Sequence, residues 1–173
     1  PALQNSERNF YTTSGCGVCG KASIDAVKIN SRFTESIHFV VDADVLYSLQ
    51  HELLKQQQLF ESTGGLHAAA LFSLNGQFEL LKEDVGRHNA LDKLIGQAFL
   101  QEQLPLYNKI LLLSGRASFE LIQKAAMAGI KMIAAIGAPS TLAAELAIEN
   151  DITLIGFLRQ STMNIYCGSQ RIK

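Results

Sequence analysis

Two of the three cysteines stand three residues apart in Ser14-Gly15-Cys16-Gly17-Val18-Cys19-Gly20-Lys21. Cysteine is a nucleophile as its thiolate, and a neighbouring thiol and a lysine both favour that form. Three glycines leave this backbone open to a partner. Cys16 and Cys19 are therefore the candidate catalytic pair. Structural zinc wants four ligands, and Cys167 lies far along the chain with no H-x₃₋₅-H to complete a set, so no zinc site is expected. A thioredoxin-like pair sits between a strand and a helix start, whereas here the loop leads to a short, β-like segment. Buried structural cysteines are seldom framed by three glycines. The remaining reading is an exposed thiol that accepts and donates a sulfur atom.

A second constellation is Gly86-Arg87-His88-Asn89, at a predicted helix start. Free N–H groups and the helix dipole favour an anion there, and Arg87 and His88 add donors. The plainer alternative is capping by Asp84 or Asn89, with Arg87 a surface residue. Repetition favours the anion. Ser114-Gly115-Arg116-Ala117-Ser118 also follows an apolar strand and opens a helix, and Gly137-Ala138-Pro139-Ser140 does so one unit later. Ligands of open α/β sheets collect where strand ends meet helix starts. Adjacent turns of this kind would line a pocket with N–H groups, the Ser114, Ser118 and Ser140 hydroxyls and two guanidiniums, suited to phosphate or pyrophosphate. No G-x-G-x-x-G or P-loop pattern is present. His67, beside Gly64-Gly65, reads equally as a pocket residue or a satisfied core histidine. Phe157 and Arg159 could stack on or clamp a base, although Phe157 reads more simply as core. Cys167 reads as an apolar filler, Lys93 as a residue of the pocket rim, and His38 and His51 as surface or helix residues.

The elements that must position these groups follow from periodicity. Val45, Leu46, Leu49, Leu53 and Leu54 share a helix face behind Asp42 or Asp44 as N-cap. Residues 66–74 and 77–83 read as strands joined at Asn75-Gly76 by a two-residue hairpin turn with positive φ at both positions. A helix follows, with Leu91, Leu94, Ile95, Ala98 and Phe99 inward. After Pro105 the chain alternates: strand 109–113, helix 119–128 ended by Gly129, strand 131–136, helix 141–149, strand 152–158. Apolar strands alternating with helices indicate βαβ units and a sheet covered on both faces.

The 173 residues are 47% hydrophobic and 18% charged, which marks a globular chain with a sizeable core. A net charge of −1 gives no support to nucleic-acid or anionic-membrane binding. An odd cysteine count argues against a secreted disulfide framework. No signal peptide and no bilayer-long apolar run is seen. These features read as a cytoplasmic protein with reduced thiols. The start at Pro1 reads as a fragment of something longer.

The segments TTSGCGVCGKASID, GGLHAAALF, EDVGRHNALDKLIG, SGRASFELIQKAAMAGI, IAAIGAPS and LIGFLR, in order from about Phe10 to about Arg159, together resemble the FdhD/NarQ family of formate dehydrogenase accessory sulfurtransferases. The resemblance implies a cytidine deaminase-like three-layer α/β/α sandwich with a mixed sheet (residues 41–173). Residues 1–40 would hold the Cys loop and a remnant of an N-terminal part that looks truncated. It implies that persulfide sulfur passes from a cysteine desulfurase, through the C-x-x-C loop, to the molybdenum of a bis(molybdopterin guanine dinucleotide) cofactor for formate dehydrogenase. It also implies a homodimer, and a pocket that takes the cofactor or a guanine nucleotide such as GDP as its mimic. Deaminases carry H-x-E and P-C-x-x-C for zinc. The corresponding places here are His88-Asn89-Ala90 and Gly115-Arg116-Ala117-Ser118, without the glutamate or the zinc cysteines. Such a ligand has pyrophosphates for the turns at Gly86, Gly115, Gly137 and Ala138, and a guanine for Phe157. Two rivals remain open: a non-enzymatic cofactor or nucleotide carrier, and a thiol–disulfide oxidoreductase.

Overall fold

The chain divides into two units, Pro1–Asn30 and Ser31–Lys173. The computed structural model describes residues 31–57 and 64–173, all of them in the second unit. Cys16, Cys19 and Lys21 lie outside the described residues.

The second unit is built on one mixed sheet in the order β2-β1-β3-β4-β5-β6. Its strands are β1 (His67–Ser73), β2 (Phe78–Asp84), β3 (Lys109–Leu113), β4 (Met132–Ala135), β5 (Thr153–Gly156) and β6 (Asn164–Cys167). β1 pairs antiparallel with both β2 and β3, β3-β4-β5 run parallel, and β6 returns antiparallel. The helices are α1 (Ala43–Gln56), α2 (Arg87–Leu100), α3 (Phe119–Met127) and α4 (Thr141–Glu149).

Apart from the end residues His67, Ser73, Lys109 and Thr153, the central strands carry no polar side chain, because both faces are covered. Ala68, Ala70 and Phe72 of β1, Ile110 and Leu112 of β3 and Ala134 of β4 pack in one cluster with Leu46, Leu49 and Leu53 of α1. The alternate residues, among them Ala69, Leu71, Leu111, Leu113, Ile133 and Leu154, are equally buried and point to the other face. There α2 lies over β1 and β2, while α3 packs beside α4. The cytidine deaminase-like three-layer α/β/α sandwich with a mixed sheet is the fold seen.

Three local details differ from the sequence reading. The hairpin is not a two-residue turn. Gly76 donates to Ser73 O at 2.9 Å and alone adopts positive φ (78°), so Leu74-Asn75 form the turn and Gly76 the bulge that follows. The strand expected over 152–158 ends at Gly156, because Phe157 enters the left-handed region (φ 52°) and its N–H leaves the ladder for Gly137 O. β6 was not foreseen: the Arg159 N–H to Thr162 O bond, 2.8 Å, turns the chain back onto the edge of the sheet.

Candidate functional site

Where β3, β4 and β5 end, three turns latch onto one another. Gly137 donates to Gly115 O (3.0 Å), Ala117 to Ala138 O (3.2 Å), Ser140 to Ala117 O (3.0 Å), and Phe157 to Gly137 O (3.1 Å). The β3–β4 pairing is thus carried past the strands into the turns, with Ala117 bridging Pro139 in parallel. A side chain at Gly137 would lie 2.9 Å from Arg116 N, so the two backbones touch only because the residue is glycine. A Cβ at Gly115 would stand 3.2 Å from His67 Nδ1, which places the half-buried His67 imidazole beside that turn.

The latched turns and the start of α2 enclose a cavity of about 260 Å³, lined by Arg87, Arg116, Ala117, Ser118, Ala138, Pro139 and Ser140. Residues far apart in sequence meet here because parallel strands place successive strand-to-helix turns side by side. The Arg87 Nε is buried without a hydrogen-bond partner. An unsatisfied buried donor is costly, and a charged one more so. This atom therefore asks for an acceptor that the described residues do not supply.

Ser118 and Ser140 are the N-caps of α3 and α4, and both line the cavity. The Ser140 hydroxyl accepts from Ala143 N at 3.2 Å and closes its helix start. Ser118 makes no such cap, so the first N–H groups of α3 have no side-chain acceptor. Its Oγ instead faces His88 Nε2 at 3.2 Å, and Glu120 Oε2 lies 3.7 Å from the same nitrogen. Burial holds the His88 imidazole below its ordinary range, and the Arg87 charge adds to this. Glu120 pulls the other way, Lys124 lowers it and Asp92 raises it.

Other candidate residues hold the frame. The Ser114 hydroxyl accepts the Ala68 N–H at 2.7 Å and so ties β3 to β1. Asn89 donates to Asp84 Oδ1 at 3.1 Å, as does the Gly86 N–H at 2.9 Å. Lys93 pairs with Asp84 rather than reaching the cavity rim. The Lys93 hydrogen bond, followed by those from Gly86 and Asn89, holds the Asp84 carboxyl down to about 2. Phe157 is 40% exposed instead of lying in the core, a result of its left-handed backbone. Cys167 is half-buried, with Sγ donating to Ile152 O at 3.1 Å. Burial raises its thiol pKa, which disfavours the nucleophilic thiolate. Ala117, Pro139 and Glu120 were not anticipated. Pro139 lay in view within Gly-Ala-Pro-Ser, and Glu120 two residues past Ser118 at a helix start.

A three-layer α/β/α protein with an arginine-lined cavity at its parallel strand ends is a class with many members, and comparison narrows it. The model of the FdhD/NarQ family matches residues 1–173, and the chain belongs to that family. The sulfur carrier protein FdhD of Mycolicibacterium paratuberculosis is 56% identical over 166 residues, 95% of this chain and 61% of that protein. That of Streptomyces avermitilis is 54% identical over 168 residues, 96% of this chain and 60% of that protein. The chain thus spans about three-fifths of the length of these relatives. A crystal structure from Desulfotalea psychrophila, described as a formate dehydrogenase accessory protein, superposes with a TM-score of 0.74 at 29% identity. It covers 82% of this chain and 60% of its own. No helix among the described residues is long and apolar enough to cross a membrane.

Proposed function

We propose that this chain is a sulfurtransferase acting in the cytoplasm as a homodimer. It carries persulfide sulfur from a cysteine desulfurase to the molybdenum of a bis(molybdopterin guanine dinucleotide) cofactor destined for formate dehydrogenase. Family membership and the names of the relatives support the sulfur-carrying role. The observation that carries the acceptor side is the buried, unpartnered Nε of Arg87, a residue that lines a cavity together with Arg116 and two serines. Guanidinium groups match phosphate oxygens in geometry and charge. The uncapped start of α3 adds N–H groups and the positive end of a dipole. The cavity suits a phosphate or pyrophosphate arm of the cargo, with GDP as a stand-in for one such arm.

On the donor side, the Cys16 or Cys19 thiolate attacks the outer sulfur of the desulfurase persulfide. The S–S bond breaks, the desulfurase thiolate leaves, and the sulfur now rides on this chain as a persulfide. Lys21, two residues past Cys19, supplies a positive charge beside that anion. The turns around the cavity hold the phosphate arm of the acceptor while the sulfur is handed on.

Incubation with a cysteine desulfurase and cysteine, followed by intact mass spectrometry, tests the proposal. The expected result is a gain of one sulfur atom, lost in a Cys16→Ala/Cys19→Ala variant. No gain with GDP binding intact would leave a carrier. A Cys16–Cys19 dithiol that reduces insulin and is itself left as a reversible internal disulfide would indicate an oxidoreductase.

A further inference from the structure

Ser118 and Ser140 occupy equivalent places at the cavity but have different neighbours. Ser140 Oγ accepts from its own helix. Ser118 Oγ does not, and faces a histidine nitrogen that also has a carboxylate within ion-pair range. A serine hydroxyl has one hydrogen to give and lone pairs to accept with. Its role toward a ligand therefore depends on what His88 Nε2 does. With the proton on Nε2, the ring donates to Ser118 Oγ and the hydroxyl hydrogen is left for a cavity occupant. With the proton on Nδ1, Nε2 accepts, and the hydroxyl hydrogen is drawn away from the cavity.

We infer that Glu120 is a positioning residue: by attracting the proton to His88 Nε2, it turns Ser118 into a hydrogen-bond donor aimed at an oxyanion in the Arg87–Arg116 cavity. Nothing in this requires Glu120 to touch the ligand, and it is not among the cavity-lining residues. Its place in the first turn of α3 suits its negative charge to that helix end. The charged groups around His88 are Arg87 and Asp92 on α2, and Glu120 and Lys124 on α3. Asp92 and Lys124 pair with each other, which leaves Glu120 as the free carboxylate nearest the ring. A second carboxylate facing the cavity would repel a phosphate. Placed beside His88 Nε2 at 3.7 Å, the same charge acts through the His88–Ser118 hydrogen bond and selects acceptors over donors. The inference rests on the cavity being the anion site proposed above.

Two measurements on the full chain test it. Long-range ¹H–¹⁵N correlation of the imidazoles reports the His88 tautomer without any ligand. The wild type is expected to carry the neutral proton on Nε2, and Glu120→Gln to shift population toward Nδ1. GDP titration reads the consequence. Ser118→Ala should weaken binding about tenfold, the loss of one hydrogen bond to a charged group. Glu120→Gln should weaken it about threefold. Ser118→Thr should keep the hydroxyl and most of the affinity. His88→Gln, whose amide nitrogen replaces Nε2–H, should bind better than His88→Asn. An Nδ1–H tautomer in the wild type overturns the inference. So does unchanged affinity in Ser118→Ala where Arg87→Ala weakens binding. If wild type fails to bind GDP, the pocket reading itself is overturned and the inference with it.

Discussion

Arginines lie at both ends of the parallel strands, and the molecule treats them differently. At the amino ends, Arg171 is 4% exposed and occupied on every side. It donates to Asp151 Oδ2 (2.6 Å), Asp151 O (3.1 Å) and Ile37 O (3.3 Å), and covers the Phe39 ring. At the carboxyl ends, Arg87 keeps a buried Nε without a partner, and Arg116 lines the same cavity. A satisfied buried cation holds a fold together. An unsatisfied one beside a cavity is a cost that an incoming acceptor can relieve. The contrast separates the end of the sheet that stabilises from the end proposed above to bind, and substitutions can break it.

The largest effect is expected at the stabilising end. Arg171→Ala removes the Asp151 ion pair and leaves the Ile37 and Asp151 carbonyls without their guanidinium donor, and should cost about 3 kcal/mol in denaturant unfolding, with GDP affinity of the folded fraction unchanged. Gly137→Ala comes next. Its Cβ would press on the Arg116 backbone at 2.9 Å. It should cost about 2 kcal/mol and also weaken GDP binding, because Arg116 moves with that turn.

The two serines sharpen the contrast on a finer scale. Ser140→Ala removes a helix cap and should lower stability by about 1 kcal/mol. Ser118→Ala should change stability by less and binding by more. Equal effects in both variants would mean that the turns are equivalent.

The smallest effect is a pH dependence. The His88 pKa is lowered in the folded state, first by burial. The unfolded chain therefore binds the proton more readily, and this contribution to stability is present above the unfolded value of about 6.5. It is lost as pH falls from there through the folded value. Wild type should lose stability over that window more steeply than His88→Gln in paired unfolding curves. Parallel curves would contradict the lowering of the His88 pKa by its surroundings.

Much of this was legible in the sequence, for particular reasons. The parallel half from Lys109 onward is written in local signals: apolar strands, a Gly stop at 129, and the turns Ser-Gly-Arg-Ala-Ser and Gly-Ala-Pro-Ser at helix starts. The cavity was legible because three such turns recur at helix starts, and parallel topology sets them side by side. What was not legible depends on distant contacts. Ser114 looks like a ligand residue in Ser-Gly-Arg-Ala-Ser, yet its hydroxyl is taken by Ala68 N–H from another strand. Phe157 looks like core until Gly137 O draws its N–H out of the ladder. β6 is half-exposed and short, so it carries little apolar signal. Glu120 gains a role only once α2 brings His88 within 3.7 Å of it. The Cys16–Cys19 pair was the clearest chemical signal in the sequence, and it lies outside the described residues.

The most direct test of the contrast is calorimetric titration of GDP into the wild type and an Arg87→Ala/Arg116→Ala variant, each checked for unchanged thermal unfolding. Two lost guanidiniums should weaken binding by about a hundredfold or more while the fold persists. Equal affinity in a folded double variant would contradict the claim that the carboxyl-end cavity is where this protein holds its phosphorylated partner.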